Sequence, residues 1–297
     1  MKKLILFFSI IGLSQLAWSQ DFYNEFLEHC KTNDTVSQLK VLKQWKTSNP
    51  KDPELYTSFF NYYFLKSKQE VIALTNDKPN GDGLALKDSL NQTAGYLGGQ
   101  IIYNAKDIQN AMEAIDKGIA LFPDRLDMRF GKVYALGQTK NWAAFTSEII
   151  KTVKHSSQND NRWTWTNDEN REDGKSLLLS SIQTYQVQLY NTGDDKLLNN
   201  MRTIAEEILN YYPNHVESLS NVALTYMVTG AYDEGLESLF KAEKINSKDA
   251  IVLSNIAHCY KLKGDAKKSI VYYEKVIALG DTQYKSYAEQ QIAELKQ

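Results

Sequence analysis

The feature that most constrains the fold is a 34-residue segment that occurs twice in succession near the C-terminus, at residues 216–249 and 250–283. At an offset of 34 residues, seven positions carry identical residues: Leu219/Leu253, Ser220/Ser254, Asn221/Asn255, Ala223/Ala257, Tyr226/Tyr260, Gly230/Gly264 and Lys241/Lys275. A period of this length, with small, aromatic and glycine residues at fixed offsets, is typical of stacked helix-turn-helix units. Each unit leaves an apolar face that only a neighbouring unit buries, so the sequence predicts an all-α, right-handed solenoid.

The two copies resemble the tetratricopeptide repeat family, in which small residues let paired helices cross closely and bulky residues fill the space between layers. The matching residues are Leu219, Val222, Ala223, Tyr226, Gly235, Leu239 and Ala242 in the first copy, and Leu253, Ile256, Ala257, Tyr260, Ser269, Tyr273 and Val276 in the second. Ser247 and Asp281 stand where the family has proline. Gly230 and Gly264 are expected to end the first helix of each pair in the left-handed conformation.

Weaker repeats extend upstream of these two copies. Pro50, Pro123 and Pro213 each follow a helical pattern that fits the second helix of a unit. We therefore expect one repeat domain over residues 20–297, with about six helix pairs. Residues 284–297 have the amphipathic pattern of a capping helix.

Two segments interrupt the period. Residues 69–104 combine a β-rich run, an Asn80-Gly81 turn signal and a Gly-rich run, which predicts a small β-hairpin-like insert with residues 83–87 as the partner strand. Residues 155–175 form a polar insert. Because insertions in repeat proteins often lie on the binding face, the 69–104 insert either contributes to binding or covers an exposed apolar ridge.

The first 19 residues are typical of a secretory signal. Lys2 and Lys3 precede an apolar run, and Ala17 and Ser19 place small residues at the cleavage site. The run has about ten residues, whereas a membrane-spanning helix needs about 20. We therefore expect cleavage before Gln20 and a periplasmic or secreted protein, rather than a membrane anchor.

Charge and motif content argue against several classes of function. The net charge is −2, from 34 basic and 36 acidic residues without a basic tract, so a nucleic-acid partner is not expected. The sequence contains no catalytic, phosphate-binding or calcium-binding motif, and its four histidines lack metal-ligand spacing. We expect neither an enzyme nor a cofactor or metal. Cys30 and Cys259 are too far apart along a solenoid to form a disulfide.

The resemblance implies a non-catalytic scaffold that binds a peptide or protein, because in family members that bind peptides the first helix of each pair lines a concave groove. The residues at those positions are the groove candidates Glu217, Ser220, Asn221, Leu224, Asn255, His258 and Lys261. The two asparagines either contact the ligand or satisfy neighbouring backbone groups. The alternative function is a glycan-binding protein of the cell envelope, in which Trp163 and Trp165 present their rings on one side of an extended segment.

Overall fold

The computed structural model describes residues 21–76, 78, 83–280 and 282–297. It confirms the predicted fold class, because the chain is an all-α solenoid with a small antiparallel β-insert. The predicted signal segment, residues 1–19, and the Asn80-Gly81 turn lie outside the described residues.

The chain divides into two compact units. Among the described residues, unit 1 contains those from 21 to 141 and from 162 to 172, and unit 2 contains those from 142 to 161 and from 173 to 297.

Unit 1 is built from five α-helices within its described residues, and acidic side chains cap the first turns of two of them. Its first helix, α1, covers residues 21–31 and is followed by α2 (Thr35–Ser48), α3 (Pro53–Ser67), α4 (Ala105–Leu121) and α5 (Leu126–Gln138). Asp34 and Asp52 accept hydrogen bonds from the backbone N–H groups of Ser37 and Glu54, each at 3.0 Å, and so begin α2 and α3. The apolar faces of α1, α2 and α3 bury a common cluster of Phe26, Leu42, Trp45, Leu55 and Tyr62.

A three-stranded antiparallel sheet, which we call the β-arm, is inserted between α3 and α4. Its strands are β1 (Lys68–Thr75), β2 (Gly83–Lys87) and β3 (Thr93–Tyr103), in the order β1-β3-β2. The predicted partner strand at residues 83–87 is therefore present, but it pairs with β3 and not with the run before it. The Gly-rich run forms an eleven-residue strand, which is long enough to pair with β1 on one side and β2 on the other.

The hairpin turn of the β-arm lies at residues 88–92, after the Asn80-Gly81 signal. The Asp88 carboxylate accepts hydrogen bonds from the backbone N–H groups of Leu90 and Gln92, at 2.9 and 2.8 Å. Asn91 adopts a positive φ of 61°. Asp and Asn form such turns readily because their side chains bond to nearby backbone and tolerate the left-handed conformation.

One face of the β-arm is apolar and exposed. Ile72, Leu74 and Leu84 are 79%, 69% and 69% exposed. Leu74 and Leu84 both pair with Leu97 of the central strand, so their side chains lie on the same face of the sheet.

The second insert is shorter than predicted. The helix before it, α6 (Trp142–Gln158), continues past His155, and the helix after it, α7 (Gly174–Tyr190), begins within the predicted range. Between them, β4 (Trp163–Thr164) and β5 (Asn170–Arg171) form a two-stranded antiparallel ladder around the turn Thr166–Asp168. Residues 162–172, which we call the Trp insert, belong to unit 1.

Unit 2 contains the clearest repeats. Its helices after α6 and α7 are α8 (Leu198–Tyr211), α9 (Val216–Val228), α10 (Tyr232–Ile245), α11 (Ala250–Leu262), α12 (Ala266–Leu279) and α13 (Thr282–Leu295). The two 34-residue copies correspond to the pairs α9–α10 and α11–α12. Gly230 and Gly264 have φ values of 80° and 84°, as predicted for left-handed caps.

The residues that the repeat pattern predicts to be small lie where helices approach closely. A Cβ atom added at Gly235 would lie 3.2 Å from the Met227 side chain and 3.3 Å from the Ala223 carbonyl oxygen. Ser269 donates from Oγ to the Ala257 carbonyl oxygen at 2.9 Å, which ties α12 to α11. The predicted cap is α13, and its buried Ala288 and Ile292 pack against the cluster that includes Ala257.

Candidate functional site

The groove candidates on α9 have different surroundings. Glu217 is exposed, and its carboxylate lies 3.2 Å from Nε2 of His215. Asn221 is buried and donates from Nδ2 to Oε1 of Gln183 on α7 at 2.7 Å. Asn221 therefore links two helices of unit 2, α7 and α9, by a side-chain hydrogen bond. Ser220 and Leu224 are half-buried.

The groove candidates on α11 include polar atoms without partners. Nδ1 of His258 and Oγ of Ser254, one helical turn earlier, are buried and have no hydrogen-bond partner within the residues that the structure describes. Burial and the charge of Lys261 lower the pKa of His258 below its ordinary value. Asn255 is half-buried beside them.

Lys261 forms hydrogen bonds to the capping helix, α13. Its Nζ donates to Oε1 of Gln291 and to Oε2 of Glu294 on α13, each at 2.7 Å. This ammonium group therefore already has two acceptors that hold α13 against α11. Within the described residues, α11 thus brings together two buried atoms without a hydrogen-bond partner, Ser254 Oγ and His258 Nδ1, while Asn221 and Lys261 support the helices.

The two tryptophans of the Trp insert do not form a shared platform. Trp163 is 1% exposed, and the guanidinium of Arg129 lies 5.8 Å from its ring centroid. Trp165 is half-buried between Phe130, whose ring centroid is 6.3 Å away, and Arg171, whose guanidinium is 5.7 Å away. The expectation that both rings face one side of an extended segment is wrong, because the first ring is buried in unit 1.

A cleft that the sequence analysis did not identify lies within unit 1, where α1, α3, α4, α5 and the Trp insert meet. It has a volume of about 230 Å³, and we call it the inner cleft. Its lining residues are Tyr23, Glu54, Thr57, Phe60, Asn61, Ile115, Asp127, Met128, Gly131, Trp165 and Thr166.

A buried guanidinium organises one wall of the inner cleft. Arg125 donates from Nη1 to Oε1 of Glu54 at 2.7 Å, and from Nε and Nη2 to the two carboxylate oxygens of Asp127 at 2.9 and 2.7 Å. Burial alone would lower the pKa of Arg125, but the hydrogen bonds to Asp127 and Glu54 raise it above its ordinary value. The guanidinium therefore stays charged inside unit 1.

The same ion pairs hold the Trp insert in place. The backbone N–H of Asn167 donates to Oε1 of Glu54 at 2.8 Å, and Arg125 Nη1 lies 3.4 Å from the Asp168 carboxylate. Asn167 and Asp168 both have positive φ values, of 60° and 55°. Two consecutive left-handed residues outside glycine require support from their surroundings, and these contacts supply it.

The residues of the inner cleft could have been found from the prolines. Counting the repeat from Pro50 places Glu54, Thr57 and Asn61 at the positions that line the groove in peptide-binding family members. The same count from Pro123 places Asp127 at the position equivalent to Glu54. The signal was available in the sequence, but the β-arm separates the two prolines and hides the period.

Neither metal binding nor membrane spanning is indicated within the described ranges. They contain no cluster of three or more His, Cys, Asp or Glu side chains suited to a metal ion. No helix in that part of the chain has both the length and the apolar character needed to cross a bilayer.

Comparison with known proteins identifies the repeat directly. The tetratricopeptide repeat model matches residues 250–279, which lie in α11 and α12, so the predicted resemblance is confirmed there. No curated protein matches the chain.

Several solved structures are similar to the chain at low identity. The C-terminal part of a TPR repeat-containing protein from Cytophaga hutchinsonii is 12% identical over 92% of this chain and 87% of its own, with a TM-score of 0.48. YrrB, described as a TPR protein with an unusual peptide-binding site, is 13% identical over 84% of this chain and 97% of its own, with a TM-score of 0.42. PilW, described as a type IV pilus biogenesis factor, is 12% identical over 91% of this chain and 97% of its own, with a TM-score of 0.39.

Proposed function

Since the chain is a helical repeat scaffold with a tetratricopeptide repeat at residues 250–279, we propose that it binds an extended segment of a partner peptide or protein. The observation that carries this proposal is the inner cleft of unit 1. Five separate segments of the chain converge on it, and its exposed or half-buried lining includes Tyr23, Thr57, Asn61 and Trp165. Concave sites lined by aromatic rings and a few placed polar groups are typical of ligand binding.

Helix α11 of unit 2 supports the same proposal. Asn255 and His258 lie on α11 at positions that line the groove in peptide-binding family members, and both side chains are half-buried. Their amide and imidazole groups are suited to accept or donate hydrogen bonds to the backbone of a bound segment.

Binding without catalysis fits the chemistry of the inner cleft. Both of its carboxylates, Glu54 and Asp127, are fixed by direct hydrogen bonds to Arg125. The described lining contains no histidine, cysteine or lysine, the side chains that most often serve as general base or nucleophile beside a carboxylate. The two carboxylates instead position the wall of a binding site.

Export is the second part of the proposal. The signal-like pattern at residues 1–19 supports it, and the expected product begins at Gln20. Intact-mass analysis of the protein recovered from the periplasm or medium is expected to show loss of residues 1–19. Recovery of a membrane-bound form that retains Met1 would contradict export as a cleaved protein.

The binding proposal is tested by blocking the inner cleft. Asn61 is exposed at its edge, so Asn61→Trp fills the cleft without removing a buried contact. The matched control is Gln44→Trp, at an exposed position of α2 outside the cleft lining. In pulldowns from a cell-envelope extract, the wild type and Gln44→Trp are expected to retain the same partner, and Asn61→Trp is expected to lose it. Unchanged capture by Asn61→Trp would show that the inner cleft is not the binding site.

A further inference from the structure

The walls of the inner cleft combine aromatic rings with carboxylates. Tyr23 and Trp165 present rings, and Glu54 and Asp127 present carboxylates. Within the described part of the chain, no lysine or arginine lines this cleft. Arg125 lies behind the two carboxylates, and its side chain is only 1% exposed.

The charges around the inner cleft are not balanced. Glu54, Asp127 and Asp168 carry three negative charges around the single guanidinium of Arg125. Arg171, which packs on the ring of Trp165, brings a second guanidinium, so carboxylates still outnumber cations by three to two. Burial and the nearby Glu54 and Asp127 carboxylates raise the pKa of Tyr23, and Arg125 partly opposes them.

The Glu54 carboxylate retains capacity for another donor. Among the described residues, its Oε1 accepts from Arg125 and Asn167, and its Oε2 accepts from the Thr57 hydroxyl alone, at 3.2 Å. A carboxylate offers about four acceptor positions. At least one of these remains for a ligand in the cleft that Glu54 lines.

A second cleft of unit 1 provides an internal comparison. It has a volume of about 260 Å³ and an aromatic lining that includes Tyr56 and Phe59, but its charged residues include Lys46 and Lys117. The Lys46 ammonium lies 5.9 Å from the Phe59 ring and the Lys117 ammonium 6.0 Å from the Tyr56 ring. In that cleft the two cations above aromatic rings are themselves lining residues, whereas the cation on the Trp165 ring, Arg171, is not among the residues that line the inner cleft.

We propose that the inner cleft binds a basic side chain, the ammonium of a lysine or the guanidinium of an arginine, carried by the bound segment. The aromatic rings contact the aliphatic stem and attract the cation through their faces, and Glu54 and Asp127 accept its hydrogen bonds. This inference rests on the proposed function and adds the chemical class of residue that the cleft selects.

The test changes the charge of the cleft edge without disturbing the Arg125 contacts. The purified chain and its variants are applied to an array of immobilised random heptapeptides. Asn61→Lys adds a competing cation, Asn61→Gln keeps the site neutral and polar, and Gln44→Lys adds the same charge on α2 outside the cleft. The peptides selected by the wild type are also synthesised with norleucine in place of lysine, which removes the charge and keeps the stem.

The wild type, Asn61→Gln and Gln44→Lys are expected to select peptides enriched in lysine or arginine. Asn61→Lys and the norleucine peptides are expected to bind about tenfold more weakly or worse. Selection without enrichment in basic residues, or norleucine peptides that bind equally well, would overturn the inference. The proposed function would still hold if Asn61→Trp then abolished binding of the selected peptides. Absence of any peptide binding by the wild type would count against both.

Discussion

Arg125 and Glu54 lie 71 residues apart in the sequence, and their side chains meet across 2.7 Å in the interior of unit 1. Arg125 precedes α5 and Glu54 lies in the first turn of α3, so the pair joins two helices that the β-arm separates in sequence. The Glu54 carboxylate also accepts a hydrogen bond from the backbone N–H of Asn167 and so holds the Trp insert in place. One buried ion pair therefore sets the geometry of the wall that faces the inner cleft.

Removing the guanidinium is expected to destabilise unit 1 strongly. In Arg125→Met the aliphatic stem remains, but Glu54 becomes a buried carboxylate without a counter-charge, which costs about 3–5 kcal/mol. Urea denaturation followed by far-UV circular dichroism measures the change in the free energy of unfolding. The control is Lys31→Met, which removes an exposed pair with Glu28 and is expected to cost less than about 1 kcal/mol. Similar losses in the two variants would show that the Arg125 pair has no special structural role.

The small residue at position 257 is expected to be essential for packing in unit 2. Ala257 is fully buried against Leu253, Tyr273 and Ala288. Ala257→Leu adds volume to this crossing and is expected to cost roughly 1–3 kcal/mol. Ala278→Leu makes the same change at an exposed position of α12, where it is expected to alter stability by less than about 0.5 kcal/mol. Equal shifts in melting temperature for the two variants would contradict the repeat register.

The register of these repeats was predictable because it depends on local spacing. Gly230 and Gly264 occupy the same repeat position, and Ala257 occupies another fixed position. The conformational need for glycine and the steric need for alanine each arise within a single repeat. The sequence predicts the β-arm as a small β-hairpin-like insert, but it does not predict the strand order. The strand order depends on which strand pairs with each edge of β3, and a β-rich composition does not specify this pairing.

The inner cleft was not predicted because its parts are close only in the folded chain. Glu54 and Asp127 are equivalent positions of two repeats, yet the β-arm and α4 intervene between them. Trp163 illustrates the opposite error. The alternative glycan-binding function requires an accessible Trp163 ring, whereas this ring is buried beside Arg129 and packs the segment onto unit 1.

Mild acid is expected to destabilise the protein through His258. Burial and Lys261 lower the pKa of folded His258 below its ordinary value of 6.5. Between the folded and the unfolded pKa, the unfolded chain therefore binds more protons, so stability falls as the pH falls below about 6.5. Carboxylates with a lowered pKa, such as Asp265, stop contributing to stability only in stronger acid, because the ordinary pKa of an aspartate is 3.8.

Comparison of the wild type with His258→Gln isolates this contribution. Glutamine does not titrate, so the variant is expected to lose less thermal stability than the wild type between pH 7 and pH 5.5. Melting temperatures measured at both pH values provide the comparison. An identical loss in the two proteins would mean that His258 does not contribute to the pH dependence.

The β-arm is expected to be dispensable for folding of the helices. Its apolar residues Ile72, Leu74 and Leu84 are exposed. Removing them therefore eliminates little buried apolar surface. Glu70 and Ile101 face each other in the ladder near its base. Replacing residues 71–100 with a short Gly-Ser turn therefore joins neighbouring positions. The shortened protein is expected to keep near-normal helical circular dichroism and a melting temperature close to that of the wild type.

The Trp insert supplies the control for this deletion, because its side chains are buried or bonded. Replacing residues 163–170 with a Gly-Ser linker removes the buried Trp163 ring and the backbone N–H that Asn167 donates to Glu54. This change is expected to lower the melting temperature far more than removal of the β-arm, although the segment is much shorter. A β-arm deletion that unfolds the helices would show that the sheet supports unit 1 through contacts beyond those of its exposed face.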